Sequence, residues 1–177
     1  MPAIECIITL AMPLKVNLRE FTSDDLPRLE AWVSDGDVKR YMSRWTPRSL
    51  MNGRWSPHLV RWWVIVAGEN EVGVLWIEKA DTDDSVADLG ILIGEPEMRG
   101  HGVGQAAIRL AEADAGARWH IERERIRLRV RKTNERAVCC YRKLGYVVSS
   151  VTEKEIENGT RIDVLEMTHL LKNPDEA

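Results

Sequence analysis

Polar and apolar residues alternate over residues 15–20, the period-two pattern of a strand. The cluster Thr22-Ser23-Asp24-Asp25 then supplies helix-capping oxygens, and Leu26, Leu29 and Trp32 follow at helical spacing. Residues 35–41 predict a second short helix, after which Pro47 and Pro57 bracket a loop-rich segment. Two β-rich runs, residues 61–67 and 72–79, are joined by Gly68-Glu69-Asn70-Glu71, a hairpin signal. An acidic loop, Asp81-Thr82-Asp83-Asp84-Ser85, leads to an apolar strand over residues 86–93. Over residues 103–120 the period becomes helical. Val103, Ala106, Ala107, Leu110, Ala111 and Ala117 form the expected inward stripe, interrupted by Asp114. Residues 125–131 alternate strictly, with Ile126, Leu128 and Val130 on one face and Arg125, Arg127, Arg129 and Arg131 on the other. A helix over residues 135–144 ends at Gly145, Tyr146 begins another strand, and Glu157-Asn158-Gly159-Thr160 is the strongest hairpin signal in the chain. The order β-α-α-β-β-β-α-β-α-β-β predicts an α+β or mixed α/β fold, one domain over residues 1–177.

Composition narrows the class. With 177 residues, 44% hydrophobic and 30% charged, the chain is expected to be globular and soluble, not disordered or membrane-embedded. A net charge of -3 gives no general attraction to nucleic acid, although local basic clusters suit a small anionic ligand. Cys6, Cys139 and Cys140 lack metal-ligand spacing, so no metal is expected, and they read as reduced thiols of a cytoplasmic protein. Residues 4–14 are apolar but contain Glu5, lack a basic leader and are too short to span a bilayer. Residues 1–13 therefore read either as an extra edge strand or as an extension ahead of a start at Met12.

Candidate chemistry concentrates in two segments. In Arg99-Gly100-His101-Gly102-Val103-Gly104, three glycines leave the backbone bare where a strand gives way to a long helix. Amide N–H groups and the helix dipole at such a junction attract phosphate. The second segment is Asn134-Glu135-Arg136-Ala137-Val138-Cys139-Cys140-Tyr141-Arg142-Lys143-Leu144-Gly145-Tyr146. Asn134 and Tyr141 are seven residues apart, two helical turns, and so share a face.

Together with Ala87-Asp88-Leu89-Gly90-Ile91-Leu92-Ile93, these segments resemble the Gcn5-related N-acetyltransferases. Within that family the chain is most similar to the ribosomal-protein N-terminal and spermidine acetyltransferase branch, a likeness carried also by Asp35-Gly36-Asp37-Val38-Lys39-Arg40-Tyr41. The resemblance implies a mostly antiparallel twisted sheet of about six to seven strands flanked by about four helices. It implies direct transfer of an acetyl group from acetyl-CoA to a primary amine, without a metal or a covalent acyl-enzyme. The family's R-x-x-G-x-G pattern falls on Arg99, Gly102 and Gly104, so residues 99–104, including Gly100, His101 and Val103, are expected to offer N–H groups to the pyrophosphate. The pantetheine arm is expected beside Leu92 and Ile93 in the manner of an added strand. The Asn134 amide is expected on pantetheine, and the Tyr141 hydroxyl near the sulfur, as donor to the departing thiolate.

The attacking amine must lose a proton. Asp88 stands where many relatives in this branch have Glu in an A-E-I-G pattern, one methylene shorter and thus suited to act through water; Glu78 is a second candidate. Trp45, Trp55, Trp62 and Trp63 read either as packing residues or as an aromatic wall for a cationic acceptor. The four arginines of residues 125–131 read either as a solvated face or as a site for an anionic group. The acceptor is left open between a small amine (polyamine, aminoglycoside, amino-acid derivative) and a protein N-terminus. Two other functions stand beside this one: a non-catalytic acyl-CoA-binding domain, and transfer of another acyl group such as succinyl. A homodimer is common among relatives.

Overall fold

A computed structural model describes residues 15–51, 53, 56–80, 82, 85–119, 125–156 and 159–170. Residues 1–13, Trp55 and Asn158 of the sequence reading lie outside the described residues. The chain runs β1 (Val16–Glu20), a 3-10 turn (Ser23–Asp25), α1 (Leu26–Val33), α2 (Gly36–Tyr41), α3 (Arg48–Met51), β2 (Val60–Ala67), β3 (Asn70–Lys79) and β4 (Val86–Ile93). A second 3-10 turn (Pro96–Met98) precedes α4 (Val103–Trp119), β5 (Arg125–Arg131), α5 (Glu135–Lys143), β6 (Val147–Glu155) and β7 (Arg161–Leu170). The strands make one seven-stranded sheet in the order β1-β2-β3-β4-β5-β7-β6. Among the described residues only the β4–β5 pair is parallel.

Local chemistry explains most of the boundaries. Asp35 caps α2, its Oδ1 accepting from the Asp37 and Val38 amides at 3.0 and 3.1 Å. Gly145 closes α5 at φ +92°, a left-handed residue past a helix end. The β2–β3 connection is tighter than the four-residue signal suggested, because Asn70 and Glu71 already pair with Ala67 and Val66.

Each face of the sheet carries its own core. One includes Ala87, Leu89, Ile126, Leu128, Ala107, Ile108 and Val138, joining the sheet to α4 and α5. The other gathers Leu29, Trp32 and Val38 from α1 and α2 over Val60, Trp62, Val74, Trp76 and Leu92. The alternation of each strand sets this division, since successive side chains point to opposite faces.

The inward face of α4 departs from the expected stripe. Val103, Ala107 and Ala111 are buried as predicted, but Leu110 is 42% exposed and Ile108, Glu112 and Ala115 complete the buried face. The helix is rotated so that small alanines approach the sheet. Glu112 is tolerated inside because it accepts from the Tyr146 hydroxyl at 2.6 Å and has His169 Nδ1 at 3.2 Å. The cysteine reading also changes: Cys139 is disulfide-bonded and Cys140 is free.

Candidate active site

The site begins where the sheet fails to close. The parallel register between β4 and β5 covers only Val86, Ala87 and Asp88 against Arg125, Ile126 and Arg127. Beyond Asp88 the register ends, leaving the β5-facing edge of Gly90–Ile93 without a strand partner among the described residues. A cavity of about 470 Å³ fills this split, lined by Gly90 to Ile93 on one side and Leu128 to Val130 on the other. Leu92 and Ile93, the expected pantetheine neighbours, are in its wall.

The glycine-rich turn stands at one end of the cavity. Gly100 and Gly102 have φ of +86° and +82°, a region costly for residues with a Cβ. A Cβ built on either meets nothing within 4 Å, so the space in front of the turn is open. The Ala106 amide closes the first helical bond to Gly102 O at 3.0 Å, leaving the amides of Val103, Gly104 and Gln105 for an outside acceptor. Gly100, Gly102, Gly104 and Gln105 line the cavity; the His101 side chain is exposed outside its lining, and Val103 is 1% exposed in the core.

Arg99 has a different place from its neighbours. Its amide donates to Pro96 O at 3.1 Å, so the run of free amides starts after it. Its side chain, 8% exposed, folds back: Nε donates to Ile93 O and Nη2 to Gly94 O, both at 2.9 Å. Nη1 reaches Asp35 Oδ1 at 3.2 Å and lies 3.6 Å from Asp37 Oδ2. The guanidinium thus fastens the end of β4 to the start of α2, beneath the turn. The Asp35 carboxyl is held below its usual range, first by the Val38 amide and then by Arg99.

On α5, Asn134 and Tyr141 both face the cavity. Asn134 caps the helix, accepting from the Ala137 amide at 3.3 Å through Oδ1, which leaves its NH₂ free for a ligand. The Tyr141 hydroxyl has no hydrogen-bond partner among the described residues, although the residue is only 9% exposed. Burial pushes its pKa well above that of a free phenol, so it stays protonated and able to donate. Its ring packs at 5.9 Å from Tyr146, the residue tied to Glu112 and beside His169. Cys140 also lines the cavity, and burial raises its thiol to about 11, which keeps it neutral.

Both candidate acids are engaged. Asp88 receives two bonds from Arg127, Nε at 2.6 Å and Nη2 at 3.0 Å. Glu78, 5% exposed, is gripped by the Arg44 guanidinium and by the Arg48 amide at 2.6 Å. Of the tryptophans singled out above, Trp62 and Trp63 are buried on opposite faces of β2, Trp62 stacking on Phe21 at 3.5 Å. Trp45 is 42% exposed. The tryptophan in the cavity wall is Trp76, which sequence reasoning did not single out. It lies across from Gly90, where a Cβ would stand 2.0 Å from Trp76 Cζ2. The signal available was Gly90 itself, a glycine inside an apolar strand, which marks close approach.

The glycine turn, the end of β4, Asn134 and Tyr141 thus share the lining of one cavity. The chain belongs to the GNAT acetyltransferases: the profile of the acetyltransferase (GNAT) domain matches residues 15–147. Enzymes of this family move an acetyl group from acetyl-CoA to an amine. Among solved structures, spermidine N-acetyltransferase from Vibrio cholerae, in complex with CoA and spermine, superposes with a TM-score of 0.73 at 22% identity, covering 88% of this chain and 95% of that one. A GNAT-family acetyltransferase from Streptococcus pneumoniae gives 0.70 at 24% identity, over 89% and 99%. A domain from Methanocaldococcus jannaschii gives 0.66 at 22%, over 89% and 99%. No curated protein matches the chain. Among the described residues no helix is long and apolar enough to cross a membrane.

Proposed function

We propose that this chain catalyses direct acetyl transfer from acetyl-CoA to a primary amine, with the cofactor held in the β4–β5 split. The observation that carries the reading is the joining, in one cavity, of an unpaired strand edge, a glycine turn with free amides and a buried phenol without a partner. The amides of residues 100–105 and the α4 N-terminus hold the pyrophosphate. The free edge of Gly90–Ile93 and the Asn134 amide hold the pantetheine, whose hydrogen bonds replace those of a missing strand. Acetyl-CoA supplies an activated acyl carbon, so no metal is required of the protein.

Tyr141 is the proton donor. Its hydroxyl is neutral, buried and unengaged, so its proton is available to a thiolate expelled at the reacting end. Asp88 is assigned the proton-accepting role: Arg127 fixes its carboxylate, and its remaining lone pairs take the proton lost by the attacking amine through a water, balancing the proton Tyr141 gives to the thiolate.

Tyr141→Phe tests the assignment. It is expected to lower kcat about 100-fold, the usual worth of a general acid, while leaving the CoA dissociation constant unchanged. An unchanged kcat removes Tyr141 from the chemistry. CoA binding without release of free CoA from any amine would instead favour an acyl-CoA-binding domain.

A further inference from the structure

A second, smaller cavity of about 250 Å³ adjoins the first and is lined by Arg48, Ser49, Leu59, Glu78, Lys79 and Asp88. Arg48 and Asp88 are common to both cavities and form the wall between them. Its two carboxylates are already matched to arginines, Glu78 to Arg44 and Asp88 to Arg127. Arg48 is not matched in this way. Its guanidinium is 54% exposed and approaches Asp88 only to 3.8 Å, a loose contact with an acid already bound twice by another side chain. Beside it the Ser49 hydroxyl is fully enclosed, in a residue 9% exposed, with no hydrogen-bond partner among the described residues. A buried hydroxyl without a partner is costly, and one next to a spare guanidinium in a cavity wall is placed to meet an oxygen anion.

We propose that this cavity is a subsite for a carboxylate, held by the Arg48 guanidinium and the Ser49 hydroxyl, and that the acceptor is a small amine bearing that carboxylate. The inference rests on the acetyl-transfer reading above and gives it a substrate class. The amine end occupies the larger cavity near Asp88, while the carboxylate passes the shared wall into the smaller one. A polycation fits this wall poorly, because among the described residues neither of its acids lacks an arginine partner. Arg48 is fixed through its backbone amide to Glu78, so its side chain can be changed without undoing that anchor.

The test compares glutamate and β-alanine with spermidine and benzylamine as acceptors, following CoA release by wild type, Arg48→Met and Ser49→Ala. Glutamate or β-alanine should be preferred. Arg48→Met should raise their KM at least about tenfold, the worth of one charge-assisted hydrogen bond, with a much smaller effect on the KM for benzylamine and for acetyl-CoA. Ser49→Ala, a minimal change, should raise the same KM several-fold. A parallel arm gives succinyl-CoA with benzylamine. If Arg48→Met depresses only that reaction, the carboxylate comes from the acyl group and the acceptor assignment is overturned. A preference for spermidine, or an equal loss with all amines, also overturns the subsite while leaving acetyl transfer intact. If no amine releases CoA, the transfer reading fails, and calorimetry of glutamate binding to the CoA-loaded protein decides the subsite. Binding to wild type but not to Arg48→Met supports it, and absence of binding overturns it.

Discussion

Replacing Arg99 by Met removes a guanidinium but keeps an unbranched chain of similar length, so it isolates the polar contacts. Two backbone carbonyls, Ile93 O and Gly94 O, lose charged donors held at 2.9 Å inside a nearly buried site. At roughly 1.5 kcal/mol each, the low end for charged donors, the loss comes to about 3 kcal/mol, a large share of a typical domain's stability. The Asp35 arm is left out of the sum because that carboxylate is solvent-screened. Urea denaturation monitored by tryptophan fluorescence reads the loss directly. The same variant frees the base of the glycine turn from the end of β4 and from α2, so both the CoA dissociation constant and the amine KM should rise. Asp35→Ser separates the contributions: serine still caps α2, so only the ion pair is lost and the effect should be smaller. An Arg99→Met protein with an unchanged urea midpoint and unchanged CoA affinity would refute the reasoning, and Arg99 would then be a bystander of the turn.

Gly90→Ala should destabilise the protein by about 1–3 kcal/mol and lower kcat, because the new methyl must displace the buried Trp76 ring at the cavity floor; a wild-type thermal midpoint would contradict the packing described. Asp25 is held at about 2 instead of 3.8, chiefly by its hydrogen bonds from Arg19. Its folded-state value is depressed, so its contribution is complete above the unfolded value and disappears as pH falls from about 4 to about 2. After discounting for the exposed Arg19, the contribution is about 1–2 kcal/mol, and the stability gap between wild type and Asp25→Asn should shrink across that window.

Local signals carried the sequence far. The β2–β3 hairpin, the capped α2 and the glycine stop after α5 are each written within a few residues, and the structure places them there. Long-range partners were beyond such signals. Glu112 becomes an interior residue only because Tyr146 and His169, far along the chain, arrive to satisfy it, and that settles which side of α4 turns inward. The Asp88–Arg127 pair depends on a parallel strand register that no local pattern encodes. Arg48 and Ser49 stood in what read as loop, where α3 now sets them against the acids of β3 and β4. The glycine turn was legible as the junction of a strand and a long helix, but the turning-back of Arg99 beneath it was not.

The divergence of β4 from β5 has a mechanical side. Between these strands the sheet is joined by a register of three residues, with β1 to β4 on one side and β5, β7 and β6 on the other. Such a seam is the weakest line across the sheet, and a molecule lying in it with strand-like hydrogen bonds acts as a stitch between the two halves. On the proposed placement, cofactor binding finishes the architecture as well as filling a pocket. Amide exchange along residues 89–93 and 128–130 should slow on both banks of the seam when CoA is added, with the protection concentrated where the strands part.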